Sequence, residues 1–113
     1  MSAGQKPRPR IVILISGSGS NLQSLIDACL NNKIKAQITA VISNKPNVKG
    51  VERATAANIP TIIIDHRDFN SRPEFDLRLL EAIKSFSPDL VVLAGFMRIL
   101  TTDFVNQFEG KLL

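Results

Sequence analysis

Four short apolar runs rich in β-branched residues, separated by segments with helical periodicity, constrain the fold of this chain more than any other feature. The runs lie at residues 11–15, 38–42, 61–64 and 90–93. Hydrophobicity within each run is nearly continuous rather than alternating, which indicates strands that are covered on both faces. Strands and helices in alternation predict an α/β fold, with a Rossmann-like, mostly parallel sheet and helices on both faces.

Three helices are predicted between these runs. The first begins at Ser20, because Ser20 and Gln23 have the spacing of a capping box. A second, weaker helical pattern covers residues 51–57, and the third follows Ser71, which has the same spacing with Glu74. The apolar faces comprise Leu22, Leu25, Ile26 and Cys29 in the first helix and Phe75, Leu79, Ala82, Ile83 and Phe86 in the third.

The C-terminal segment after residue 93 predicts a loop, a short helical turn and, at Leu112 and Leu113, the start of another strand. With 113 residues the chain has the length of one domain, which is small for an enzyme with two substrates. We therefore expect residues 11–113 to be the first part of a truncated domain, preceded by a flexible basic tail over residues 1–10.

Composition and charge restrict the classes of function. No apolar run approaches the roughly 20 residues of a membrane helix, so no membrane association is expected. The net charge is +4, but Lys6, Arg8 and Arg10 supply three positive charges from the tail, so no nucleic-acid partner is expected. Cys29 is the single cysteine, which favours a cytoplasmic location without disulfides. The sequence carries no signal of oligomeric state.

The first apolar run is followed directly by SGSGSN at residues 16–21, a glycine-rich turn that leads into the first helix. This arrangement presents backbone N–H groups and the positive end of a helix dipole to an anion. Gly17 and Gly19 allow a phosphate to approach the backbone closely, and Ser20 and Asn21 add side-chain donors. The alternative is a tight turn with small residues and no ligand.

Missing residues narrow the choice of phosphate ligand. A dinucleotide fingerprint needs a third glycine three residues after Gly19, but Leu22 stands there. It also needs an acidic residue at the end of the second strand, where Ser43 and Asn44 stand instead. A nucleoside-triphosphate loop needs a lysine at the helix start, and none is present there. The pattern therefore favours a single phosphate on a small molecule.

Four further features carry alternatives. His66 follows the third strand and is either an acid–base group or an ordinary exposed loop histidine. Cys29 either packs on the apolar face of the first helix, which its position favours, or acts as a nucleophile. One histidine and one cysteine do not make a metal site, so no metal is expected. Arg72 either binds a ligand carboxylate or is solvated. Residues 96–100 either border a pocket for a flat apolar ligand or pack against further structure.

The segments LISGSGSNLQ, SNK, FNSRPEFD and VVLAGFMRIL, taken together and in this order, resemble the phosphoribosylglycinamide formyltransferases of de novo purine synthesis. The resemblance spans residues 11–113, and VVLAGFMRIL is its most specific element. It implies transfer of a formyl group from 10-formyltetrahydrofolate to the amine of glycinamide ribonucleotide. Both partners would be small molecules, and the second carries one ribose phosphate.

The resemblance also implies roles for individual residues. Gly19, Ser20 and Asn21 would hold the phosphate of the substrate, and Arg72 would meet the glutamate carboxylate of the folate. The residues that would border the pteridine pocket are Met97, Arg98, Ile99 and Leu100.

The resemblance places no catalytic residue in this chain. The catalytic asparagine and histidine of the family belong to an Asn-Ile-His-Pro segment that would follow GKLL, and its catalytic aspartate lies further on. The chain alone is therefore expected to be inactive. A non-catalytic phosphate-binding half-domain and a sister formyltransferase acting on another amine are the alternatives.

Overall fold

A computed structural model describes residues 8–98 and 100–113, and its framework is one four-stranded sheet. The strands lie in the order β3-β2-β1-β4, and every neighbouring pair is parallel. This confirms the predicted α/β class. The strands are β1 (Arg10–Ile15), β2 (Gln37–Ser43), β3 (Thr61–Ile63) and β4 (Leu90–Leu93).

The helices pack on both faces of the sheet, which explains why the strands are apolar on both sides. In β1, Val12 and Leu14 join the core beneath α3 and α4, whereas Ile13 and Ile15 join the core beneath α1 and α2. No helix in the described ranges is long and apolar enough to cross a membrane. The helices are α1 (Ser20–Leu30), α2 (Lys49–Ala56), α3 (Arg72–Lys84) and α4 (Thr102–Gln107), with a 3₁₀ turn at His66–Asp68.

The two predicted capping boxes have different outcomes. At α3 the serine cap is confirmed, because the Ser71 hydroxyl accepts a hydrogen bond from the Glu74 N–H at 3.3 Å. The Glu74 carboxylate accepts from the Asn70 N–H at 3.4 Å rather than from Ser71. At α1 the start is correct but the cap is wrong. Gly19, with φ +73°, is the capping residue, and no side chain caps the helix. A serine cap needs extended backbone to turn its hydroxyl back toward the helix, and Ser20 already lies within the helix.

The boundary of the predicted N-terminal tail is also corrected. Arg10 is the first residue of β1 and pairs with Gln37 of β2. Its N–H donates to the Asp89 carboxylate at 2.8 Å, and its guanidinium donates to the Phe86 carbonyl at 2.7 Å. Arg10 therefore belongs to the fold. Residues 1–7 of the predicted tail lie outside the described residues.

The C-terminal segment pairs with β4 after α4. The Val91 N–H donates to the Lys111 carbonyl at 2.7 Å, and the Leu113 N–H donates to the Val91 carbonyl at 2.8 Å. A parallel bridge joins Val91 to Leu112. The prediction that Leu112 and Leu113 begin a strand is confirmed by this pairing.

Candidate functional site

A cavity of about 230 Å³ lies where β1 and β4 end side by side. The chain adds β2 and β3 on one side of β1 and then adds β4 on the other, so the strand order reverses between β1 and β4. Ligands of open α/β sheets bind at the carboxyl ends of the strands at such a switch point. The cavity is lined by Ser16, Gly17, Ser18, Gly19, Ser20, Asn21, Lys45, Ala94, Gly95 and Met97.

The glycine turn directs its carbonyl groups at the neighbouring helices. The Gly17 carbonyl accepts from the Gly50 N–H at 3.0 Å, and the Ser18 carbonyl accepts from Arg53 Nε at 2.8 Å. The Gly19 carbonyl accepts from the Gln23 N–H at 2.8 Å. Because the carbonyl and the following N–H of a planar peptide point in opposite directions, the N–H groups after these carbonyls point away from the helices. The turn can therefore offer several donors to one anion.

The N-terminal end of α2 supports the turn from behind. A Cβ atom on Gly50 would lie 2.5 Å from Ile15 Cδ1 and 2.9 Å from the Gly17 carbonyl oxygen. A Cβ atom on Gly19 would lie 2.6 Å from Gly50 Cα. Only a glycine pair allows α2 and the turn to approach this closely. Arg53 Nη1 adds a longer contact to Gln23 Oε1 at 3.4 Å.

The electrostatic character of the cavity suits an anion. Of the described residues that line it, Lys45 carries a charge and none is acidic. The first turn of α1 contains no acidic residue, and its N-terminus has no side-chain cap. The positive end of the α1 dipole and the Lys45 ammonium therefore both favour a negative group in this cavity.

The structure brings together two groups of residues that the sequence analysis treats separately. Gly19, Ser20 and Asn21 line the cavity from the turn, and Met97 lines it from the loop after β4. The Met97 side chain is 77% exposed, whereas its N–H donates to the Ser16 hydroxyl at 2.8 Å. The predicted phosphate turn and the start of the predicted folate loop thus border one cavity.

The other predicted folate residues lie outside this cavity lining. The Arg98 guanidinium lies over the Phe75 ring of α3, with Cζ 5.1 Å from the ring centroid. Leu100 packs against the core beneath α3. Arg72 is exposed at the start of α3, one turn before Phe75. The fourth residue, Ile99, lies outside the described residues.

Three residues that line the cavity or contact the turn are not predicted from the sequence: Lys45, Gly50 and Arg53. The signal for Gly50 is its position in the first turn of a helix, where glycine is unfavourable by about 1 kcal/mol relative to alanine. Such a residue indicates a close backbone approach. Lys45, in the loop after β2, and Arg53, in the last turn of α2, carry no comparable signal, because charged residues are common on solvated surfaces.

His66 and its neighbours form a separate group at the same edge of the sheet. His66 Nδ1 lies 3.2 Å from the Asn44 carbonyl oxygen, and the ring is partly buried. Hydrogen bonds from the Arg67 guanidinium and from the Arg67 N–H lower the pKa of Asp65 to about 2. His66 does not line the cavity at the glycine turn. Across the described ranges, no three His, Cys, Asp or Glu side chains are grouped to hold a metal ion.

Cys29 occupies the position expected of a packing residue. It lies on α1, partly buried, and burial raises the pKa of its thiol, while the Arg8 charge opposes this in part. A raised pKa reduces the thiolate fraction and hence the reactivity. The preference for packing over nucleophilic chemistry remains consistent with this geometry.

The amino-acid sequence of this chain is similar to known formyl transferases. The formyl transferase family matches residues 9–113. Phosphoribosylglycinamide formyltransferase of Escherichia coli is 52% identical over 103 residues, which cover 91% of this chain and 49% of that protein. The human trifunctional purine biosynthetic protein adenosine-3 is 48% identical over 109 residues, which cover 96% of this chain and 11% of that protein.

Solved structures agree with the sequence relatives. The crystal structure of phosphoribosylglycinamide formyltransferase from Brucella melitensis superposes with a TM-score of 0.90 at 39% identity. The superposition covers 94% of this chain and 55% of that one. The chain therefore spans about half the length of the bacterial proteins that it matches.

Proposed function

The chain belongs to the formyl transferase family, and on this premise we propose that it supplies the phosphate site and part of the folate site of a glycinamide ribonucleotide formyltransferase. The reaction is transfer of a formyl group from 10-formyltetrahydrofolate to the substrate amine in de novo purine biosynthesis. We propose the cytoplasm as its location, in keeping with the single cysteine. Both ligands are small molecules, and no metal or nucleic acid takes part.

One observation carries the proposal: the cavity at the switch point is built for a single anion of small size. It is lined by the glycine turn, by Ser20 and Asn21 at the start of α1, which no side chain caps, and by the basic residue Lys45. A volume of about 230 Å³ accommodates a phosphate and part of a ribose but not a dinucleotide. These features support a substrate that carries one phosphate.

The loop after β4 supports the folate part of the proposal. Met97 borders the phosphate cavity, so a second ligand held by residues 97–100 would lie beside the first. The Arg98 guanidinium already packs on Phe75, which leaves the main chain of this loop as the part that contacts the pteridine. Arg72 is exposed at the start of α3, where a carboxylate of the folate can reach it.

In the proposed reaction this chain binds and orients the two substrates, and its residues do not carry out the formyl transfer. The amine attacks the formyl carbon, and an oxyanion develops on the formyl oxygen. The bond from the formyl carbon to the folate nitrogen then breaks, and the proton lost by the attacking amine passes to that nitrogen as tetrahydrofolate leaves. A group that stabilises that oxyanion must lie about 3 Å from it. We propose that these groups come from the half of the protein that the bacterial relatives have in addition. The chain by itself is then inactive.

The test is a binding measurement on the natural polypeptide that contains this chain, with one substitution at the turn. Asn21→Asp replaces a donor by a carboxylate beside the proposed phosphate. We expect affinity for glycinamide ribonucleotide to fall by on the order of tenfold or more, with folate affinity unchanged. Calorimetric titration of each ligand measures both values.

Asn31→Asp is the matched control, because it makes the same chemical change at the opposite end of α1. It should leave both affinities unchanged. Loss of folate affinity alone in Asn21→Asp would contradict the assignment of the turn. A polypeptide that binds phosphate ligands but never transfers a formyl group would favour a non-catalytic module, and transfer to another amine would favour a sister enzyme.

A further inference from the structure

Ser16 is a buried polar residue at the point where β1 leads into the glycine turn. Its exposed fraction is 2%. The hydroxyl donates to Asn44 Oδ1 and accepts from the Met97 N–H at 2.8 Å. One hydroxyl group therefore uses both its donor and an acceptor site, and it joins segments that follow three different strands.

Asn44 extends this network across the sheet. It directly follows β2, is 1% exposed, and donates its N–H to the Ile15 carbonyl at 3.3 Å. Its own carbonyl lies 3.2 Å from His66 Nδ1. These contacts thus connect the segments that follow β1, β2, β3 and β4, with the buried residues Ser16 and Asn44 at their centre.

The network links the two parts of the proposed site, the glycine turn and the loop after β4. Ser16 immediately precedes Gly17 of the turn, and its partner Met97 is the first residue of the proposed folate loop. Met97 is 77% exposed, and its N–H bond to Ser16 holds its main chain in place between Phe96, which packs against the core, and Arg98, which lies over the Phe75 ring. Buried hydrogen bonds of this kind are costly to break, because the partner left behind has no access to water.

We propose that Ser16 and Asn44 are positioning residues that hold the Met97 main chain against the glycine turn and so set the spacing between the two ligands. The inference rests on the proposed function for the identity of those ligands. Neither side chain needs to touch a reacting atom. Met97 lines the phosphate cavity and begins the proposed folate loop, so a main chain released from Ser16 should weaken the binding of both ligands.

The experiment compares Ser16→Ala with Thr39→Val in the natural polypeptide that contains this chain. Thr39 is the matched control because its buried hydroxyl also joins β2 to β1, donating to the Ile11 carbonyl at 3.1 Å. That bond lies at the other end of the strands, away from the cavity. Thr39→Val loses one buried hydroxyl bond between β2 and β1. Ser16→Ala loses a buried hydroxyl bond to the segment after β2 and, in addition, the bond from the Met97 N–H.

Two measurements are made on each variant. Amide hydrogen exchange followed by NMR should be about tenfold or more faster at Met97 in Ser16→Ala, with Thr39→Val like the wild type. Steady-state kinetics should show KM values for both substrates raised several-fold in Ser16→Ala and unchanged in Thr39→Val. Ser16→Thr keeps the hydroxyl and should restore both Met97 protection and the KM values.

The outcomes separate this inference from the proposed function. Equal exchange at Met97 in Ser16→Ala and Thr39→Val overturns the inference. So does faster exchange at Met97 with both KM values unchanged. A wild-type polypeptide that binds neither glycinamide ribonucleotide nor folate overturns the proposed function and, with it, the ligand-spacing part of this inference, whatever Met97 exchange shows.

Discussion

The N-termini of α1 and α3 lie at the same edge of the sheet and are built in opposite ways. Both helices have a serine followed three residues later by glutamine or glutamate, Ser20 with Gln23 and Ser71 with Glu74. At α3 the serine caps the helix, and an acidic residue lies in the first turn. At α1 no side chain caps the helix and no acidic residue lies in the first turn.

The difference shows where a ligand is expected. The first N–H groups of a helix have no partner within the helix, so something else must satisfy them. At α3 the protein supplies its own oxygen from Ser71 and its own negative charge from Glu74. At α1 the donors border a cavity with Lys45 on its wall. An external anion can replace at α1 what Ser71 and Glu74 provide at α3.

The largest expected effect comes from adding a methyl group to the glycine that precedes the open end of α1. In Gly19→Ala, the left-handed φ of +73° and a Cβ atom 2.6 Å from Gly50 Cα act together. We expect a loss of about 2–5 kcal/mol in the free energy of unfolding, from backbone strain and overpacking combined. Urea denaturation of the wild type and the variant measures this loss.

Gly110→Ala separates the two causes. Gly110 has φ +76°, and a Cβ atom added there would meet no atom within 4 Å, so the alanine causes strain without a clash. The expected loss is about 1–2 kcal/mol. If both variants lose the same amount, the close approach of α2 to the turn does not contribute, and the requirement for a glycine pair at Gly19 and Gly50 is wrong.

The fold was accessible from the sequence because its signal is repeated and local. Val12, Leu14, Val41 and Ile42 are almost fully buried, and continuous apolar runs indicate that environment directly. The cap of α3 was accessible because Ser71 and Glu74 are close in sequence. At α1 the spacing of Ser20 and Gln23 predicted the wrong cap, because residue spacing does not reveal backbone conformation. The capping residue is the left-handed Gly19, one position before Ser20.

The candidate site was only partly accessible, because several of its contacts join distant residues. Gly50 meets the turn from more than thirty positions away, and Ser16 and Met97 are separated by 81 positions. Small polar residues such as Ser16 and Ser18 look alike in sequence, yet the first is buried and the second exposed. The assignments of Gly19, Ser20 and Asn21 to phosphate remain predictions.

Removal of the Ser71 or the Ser20 hydroxyl should lower the free energy of unfolding by unequal amounts, both smaller than the loss expected for Gly19→Ala. Ser71→Ala removes a cap, and we expect the free energy of unfolding to fall by about 1 kcal/mol. Ser20→Ala removes no hydrogen bond to the end of its helix, so its effect should stay within about 0.5 kcal/mol. Chemical denaturation of both variants under the same conditions makes the comparison. A larger loss in Ser20→Ala would mean that Ser20 caps α1 after all.

The smallest effect is expected at a third N-terminus, the 3₁₀ turn at His66–Asp68, where Asp65 accepts from the Arg67 N–H at 2.9 Å. Hydrogen bonds from Arg67 lower the pKa of Asp65 to about 2, so the carboxylate stabilises the fold above its usual pKa near 4. That contribution is lost as the pH falls from about 4 to about 2, because the folded state must then take up a proton. Solvent screening keeps it small, since the Arg67 side chain is 69% exposed.

Asp65→Asn should therefore lower the melting temperature slightly at pH 7. Between pH 4 and pH 2 the melting temperature of this variant should fall less than that of the wild type. Arg67→Gln tests the cause, because it removes the guanidinium donors and should return the pKa of Asp65 toward its usual value. Thermal unfolding at half-unit pH steps measures all three proteins. If the melting temperatures of the wild type and Asp65→Asn fall in parallel between pH 4 and pH 2, the cap at Asp65 contributes no pH-dependent stability. The capped helix ends would then differ from the open end of α1 in hydrogen bonding alone.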